Sequence, residues 1–142
     1  MHQNLPGGCK IISFHVRGDE RGSLVALESC RNVPFEIARV YYLFGTRGSV
    51  VRGLHAHRRL QQLVVAVSGS CTMLLDDGFS RCRLKLDDPA KGLTLPRMVW
   101  HEMSDFSDGC VLLALAEAPY DESDYIRDYG EFQRLLRLAV DV

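Results

Sequence analysis

The sequence has little of what usually betrays a function. Its 142 residues include a single Trp and 5 Cys, and 17 basic residues against 18 acidic ones leave a net charge of −1. So small a charge supplies no field for nucleic acid, and no nucleic-acid partner is expected. The cysteines at 9, 30, 71, 82 and 110 are odd in number, widely spaced and never in a CxxC pair. That argues against a disulfide framework and against a thiolate zinc site. No apolar run approaches the length of a bilayer span, so no membrane partner is expected either. The opening stretch MHQNLPGGCK has no apolar centre of the export-signal kind, and a soluble, cytoplasmic protein is the expectation. A glycine-rich phosphate loop, internal repeats and low-complexity linkers are all missing.

What remains reads as β-structure within one domain spanning 1–142. Runs rich in β-branched and apolar residues occupy 10–16, 23–28, 37–44, 63–68, 70–75, 81–86, 92–95 and 111–116, with Gly, Asp, Ser or Pro between them. Arg81, Arg83 and Lys85 alternate with Cys82, Leu84 and Leu86, the pattern of a strand with one wet face. Asp76-Asp77-Gly78 reads as a hairpin turn. The period changes only at the end. Phe132, Leu135, Leu136 and Ala139 share a helical face, which predicts a short C-terminal helix over 131–139. Many short strands without alternating helices imply an all-β antiparallel sandwich or closed barrel.

Chemistry concentrates in Arg52-Gly53-Leu54-His55-Ala56-His57. Side chains two apart on a strand share a face, so His55 and His57 point the same way and suggest a common site. Gln62 and Gly69 follow, and Pro96 to His101 comes later. These spacings resemble the two cupin motifs: His-x-His, a carboxylate and a Gly, and then Pro-x-Gly-x-x-His. Gln62 stands at the carboxylate position and Met98 at the Gly. A neutral amide weakens a metal site built on His55, His57 and His101, so no metal and no cofactor is expected. His101 is as readily structural as functional.

Longer segments resemble the dTDP-4-keto-6-deoxyglucose 3,4-ketoisomerases. They are RGSLVALE from Arg21, PFEIARVYY from Pro34, RGLHAH from Arg52, GSC from Gly69, LDDG from Leu75, WHEM from Trp100 and YDESDYIR from Tyr120. The resemblance implies a jelly-roll cupin barrel, a homodimer, a dTDP-linked keto-deoxysugar as substrate and a place in making 3-amino-deoxy sugars. The reaction moves a ketone from C4 to C3 through an enediol. His55 and His57 are the expected acid–base pair, because imidazole titrates near neutrality. Which abstracts and which protonates is left open.

Tyr41 is a candidate catalytic donor to the developing oxyanion, with Arg39 on the same strand face. Arg52, Arg59 and Arg21 are candidates for the pyrophosphate, Trp100 for stacking on the base, and Gln62 for substrate binding. Alternation places Arg59, rather than Arg58, with His57. The competing readings are a dTDP-sugar epimerase, a metal-dependent cupin oxygenase and a non-catalytic nucleotide-sugar-binding cupin. The N-terminal strand at 10–16 is expected to cross between subunits.

Overall fold

A computed structural model describes residues 4–140. It holds twelve strands and one α-helix. The strands are β1 (Ile11–Ser13), β2 (Arg17–Asp19), β3 (Gly22–Leu24), β4 (Arg39–Leu43), β5 (Arg52–His57) and β6 (Gln62–Ser68), then β7 (Cys71–Asp76), β8 (Arg81–Leu86), β9 (Lys91–Leu95), β10 (Trp100–Ser104), β11 (Val111–Ala116) and β12 (Tyr125–Ile126). Helix α1 (Tyr129–Val140) ends the described chain.

The strands form two five-stranded antiparallel sheets, ordered β1-β9-β6-β11-β4 and β12-β5-β10-β7-β8, with β2 and β3 as a separate hairpin. The predicted all-β cupin barrel with a short C-terminal helix is what the chain builds. Between the sheets lies a core of Val64, Ala66, Met73, Leu75, Leu93, Leu112 and Ala114. The outer faces are covered as well. Phe14, Val33 and Phe35 pack over Leu63, Val65 and Leu115 of the first sheet. Phe132 of α1 packs with Ala56, Leu74, Trp100 and Ile126 on the second. Burial on both faces explains why 63–66 is continuously apolar instead of alternating.

Three expectations change. The runs at 10–16 and 23–28 shorten to β1 and β3, because Phe14, Val25 and Leu27 pack side-on against the first sheet from loop backbone. β1 pairs with β9, Ile11 opposite Leu93. β10 and β12, which the pattern did not predict as strands, complete the second sheet. In α1, Phe132 is buried and Leu135 and Leu136 are half-buried, but Ala139 is exposed beyond the sheet's edge. Asp128 accepts from the amide of Glu131 at 3.0 Å and starts that helix.

Candidate active site

The site grows from an irregularity in β5. His55 pairs with His101, but Met103 pairs with Arg52, so three steps along β5 match two along β10. The extra residue is a β-bulge, with Gly53 at φ +83°. In a regular strand Arg52 and His55, three apart, would face opposite ways. The bulge brings both to one cavity of about 500 Å³, lined also by Arg39, Tyr41, Tyr125 and Arg127. Beyond the bulge alternation resumes, so His57 follows His55 inward and Ala56 turns out beneath α1.

Three imidazoles meet there. The ring centroids of His55 lie 4.9 Å from those of His57 and 4.5 Å from those of His101. The ring of Tyr125 sits 4.8 Å from His55 and 4.5 Å from His57. Tyr125 also faces a second cavity of about 200 Å³, which holds His57, Arg39, Arg59, Asp121 and Asp124. A chamber of about 20 Å³ lies deeper, between Tyr41, His55, Gln62 and His101.

The two histidines of β5 differ in what holds them. Nδ1 of His57 lies 3.1 Å from Oδ2 of Asp124, and both side chains are buried. Nε2 of His55 is buried and has no partner among the described residues. Burial drives the pKa of His55 down to about 2, helped by His101, His57 and Arg127. Burial also takes His101 down to about 4, with His57 adding to the effect and the Val99 carbonyl opposing it. For His57 burial again lowers the pKa, but the bond and charge of Asp124 pull it back up. All three are neutral at pH 7 and present lone pairs, as bases must.

Tyr41 and Gln62 form a unit. The Tyr41 hydroxyl donates to Oε1 of Gln62 at 2.5 Å, and burial raises the Tyr41 pKa to about 12, with Tyr125 reinforcing and Arg39 opposing. Tyr41 therefore stays a protonated donor. The Arg39 guanidinium lies 5.0 Å from the Tyr41 ring centre and 5.6 Å from that of Tyr120. Its Nε is buried without a partner among the described residues, a donor with nothing yet to receive it.

The candidates therefore sort by location. Arg39, Tyr41, Arg52 and His55 share the larger cavity, while Arg59 joins His57 in the smaller. Gln62 is buried behind Tyr41, not open to either. Trp100 is a correction. On β10 it alternates with His101, so it faces outward, packs on Tyr129 and Phe132, and donates its indole N–H to Glu102 at 2.9 Å. It has no access to a base. Arg21 sits on the β2–β3 hairpin, paired with Asp19 at 2.5 Å, and lines neither of these two cavities. Asp124 and Tyr125 were missed as functional candidates. Their only signal was their place in YDESDYIR, since 67 residues separate Asp124 from His57.

Residues 7–137 match the family model described as FdtA: WxcM-like, C-terminal. The chain is 50% identical over 127 residues to the TDP-4-oxo-6-deoxy-alpha-D-glucose-3,4-oxoisomerase of Aneurinibacillus thermoaerophilus, covering 89% of this chain and 91% of that one. The crystal structure of a 3,4-ketoisomerase from Helicobacter canadensis superposes with a TM-score of 0.89 at 43% identity, over 91% of this chain and 97% of that one. QdtA, a sugar 3,4-ketoisomerase from Thermoanaerobacterium thermosaccharolyticum in complex with TDP, superposes at 0.92 with 36% identity, over 95% and 98%. By the extent of these matches, the chain belongs to the WxcM-like, C-terminal (FdtA) family of sugar 3,4-ketoisomerase relatives.

Proposed function

We propose that this chain is a 3,4-ketoisomerase acting on a TDP-linked 4-keto-6-deoxyhexose. The observation that carries the reading is the bulged strand that sets two neutral imidazoles 4.9 Å apart, His55 on the cavity edged by Tyr41, Arg39 and Arg52 and His57 on the adjoining smaller one with Arg59. The C4 carbonyl acidifies the proton on C3. One imidazole removes that proton, and the C–H electrons form the C3=C4 double bond as the carbonyl electrons move onto O4. O4 gains a proton to give the enediol. Loss of the O3 proton then restores a carbonyl at C3, and C4 takes up a proton. The sum is one substrate and one isomer, so the balance requires no outside oxidant, reductant or cofactor.

Fixed donors at the enediolate oxygen lower the barrier by roughly 3 kcal/mol apiece. Tyr41, held protonated, can turn its one O–H from Gln62 to the substrate oxygen, and with the unpartnered Nε of Arg39 it suits that task. Arg52 and Arg59 suit the pyrophosphate, one at each cavity. The product ketone at C3 is the centre that amination to a 3-amino-deoxy sugar requires. A homodimer accords with the exposed apolar side chains of Val40, Tyr42 and Phe44 along the β4 edge.

Incubation with TDP-4-keto-6-deoxyglucose in deuterated water, followed by NMR, tests the reading. A ketone at C3 with deuterium at C4 is expected. Exchange without a shifted ketone would assign an epimerase, and no exchange at either carbon would remove the acid–base role altogether. Metal analysis addresses the oxygenase alternative, which predicts stoichiometric iron and activity lost on chelation.

A further inference from the structure

Asp124 is placed as few surface-loop carboxylates are. It ends a 3-10 turn (Glu122–Asp124) immediately before β12, yet it is only 6% exposed. Its side chain engages three successive elements of the β5 exit. Oδ1 accepts from the amide of Arg59 at 2.8 Å, and Oδ2 accepts from the amide of Leu60 at 3.3 Å. Oδ2 also lies 3.1 Å from Nδ1 of His57, while the backbone carbonyl of Asp124 accepts from the amide of Arg58 at 2.9 Å. Two backbone donors pin the carboxylate and so hold Oδ2 with a further lone pair facing one ring nitrogen. A carboxylate has no proton to give, so a hydrogen bond there requires the proton on Nδ1 of His57. Nε2 then carries the lone pair.

We propose that Asp124 is a positioning residue that locks His57 as the Nδ1–H tautomer and so fixes Nε2 as its reactive nitrogen. The inference rests on the ketoisomerase reading for its catalytic consequence, though not for the tautomer itself. His55 has no such orienting partner among the described residues, so the device is specific to one member of the pair. It also makes the two histidines chemically unequal. Glu117 and Asp121, the latter paired with Arg59 at 3.3 Å, line the same cavity, and the other groups around His57 are cationic or neutral: Arg39 and Arg127, which disfavour its protonation, the rings of His55, His101 and Tyr125, and Arg59, whose Nε is 3.8 Å from Asp124. Asp124 is the one carboxylate that offsets them at the ring.

The direct test is long-range ¹H–¹⁵N NMR on the unliganded wild-type protein at pH 7.5. A protonated Nδ1 and an unprotonated Nε2 for His57 are expected, and the reverse pattern overturns the proposal whatever the protein's substrate. The second test is Asp124→Asn. An amide nitrogen facing Nδ1 donates to it and drives the proton to Nε2, so the tautomer should invert. Turnover should then fall by about a hundredfold to ten-thousandfold with KM little changed, as loss of an orienting carboxylate does elsewhere. The acid limb of the kcat profile should also move to lower pH, because a charge that favours protonated His57 is gone. Asp124→Glu should recover part of the rate and the original tautomer. An Asp124→Asn protein that folds and retains kcat within about threefold of wild type overturns the positioning role. If that variant does not fold, the wild-type spectrum decides. If wild-type protein shows the Nδ1–H form but turns over no keto sugar, the ketoisomerase reading fails and the clamp stands.

Discussion

The two inward histidines of β5 are two positions apart in sequence but stand in different environments. His57 stands at the strand's exit, where β12 and the 3-10 turn close over it and Asp124 grips its ring. His55 stands in mid-strand, opposite His101, with a buried Nε2 that has no partner among the described residues. A strand can supply two like side chains on one face, but it cannot make them equivalent. What lies across each one decides its tautomer and basicity. Here a carboxylate from 67 residues away works on one ring, and burial, helped by His101, His57 and Arg127, works on the other.

The largest expected effects come from deleting each ring. His55→Ala and His57→Ala should each lower turnover by about a hundredfold to ten-thousandfold, the range of a positioned acid or base. Stability should separate them. Removing His57 leaves Asp124 buried without its ring partner, at a cost of about 1–3 kcal/mol beyond lost packing. Removing His55 strands nothing. Urea unfolding of the two variants measures the gap, and equal losses would mean that the Asp124 contact contributes nothing to the fold.

Acid should come next. His55 at about 2 and His101 at about 4 lie below the ordinary His value of 6.5, so the unfolded chain binds protons that the folded one refuses. Stability is therefore full above pH 6.5 and falls as the pH drops from there toward the folded values. For buried His101 the loss between pH 7 and pH 5 is about 2 kcal/mol. Unfolding free energies measured across that range should show it, and His101→Asn should flatten the curve. His57 should add less, because Asp124 opposes the effect of burial.

Gly53→Ala probes the bulge that unites Arg52 with His55. At φ +83° an L side chain costs about 1–2 kcal/mol, and the added Cβ would lie 2.6 Å from the flexible end of Met103. Stability should fall by that amount. KM should rise as the strand straightens and Arg52 turns away from the cavity. Unchanged KM in the folded variant would show that Arg52 does not need the bulge to reach the substrate.

Much of the architecture was legible because it is local. Alternation in β8, the apolar run of β6 and the 3.6-residue stripe of α1 each reflect what one segment buries. The His55–His57 pair was legible for the same reason, and so was the placing of Arg59 with His57. The rest depended on pairing between distant segments. β12 has only two residues, and Trp100 to Ser104 mixes polar and apolar side chains because one face meets α1 and the other the imidazoles. The bulge at Gly53 breaks the parity on which a strand reading depends. Met98, where the cupin motif has Gly, adopts a left-handed backbone at φ +59°, a conformation that Gly takes most readily.

The smallest expected effect tests the opposite faces of a single strand. Trp100 and His101 are neighbours on β10, one packed beneath α1 and the other buried against His55. Trp100→Phe keeps an aromatic ring against Phe132 and Tyr129 but deletes the N–H that Glu102 accepts. A partly exposed hydrogen bond and a modest loss of volume together cost about 1 kcal/mol. Because the indole has no path to either cavity, KM for the nucleotide sugar should stay at the wild-type value while the urea midpoint falls slightly. A raised KM with unchanged stability would return Trp100 to the binding site. It would also mean that the outward face of β10 reaches substrate through a second copy of the chain.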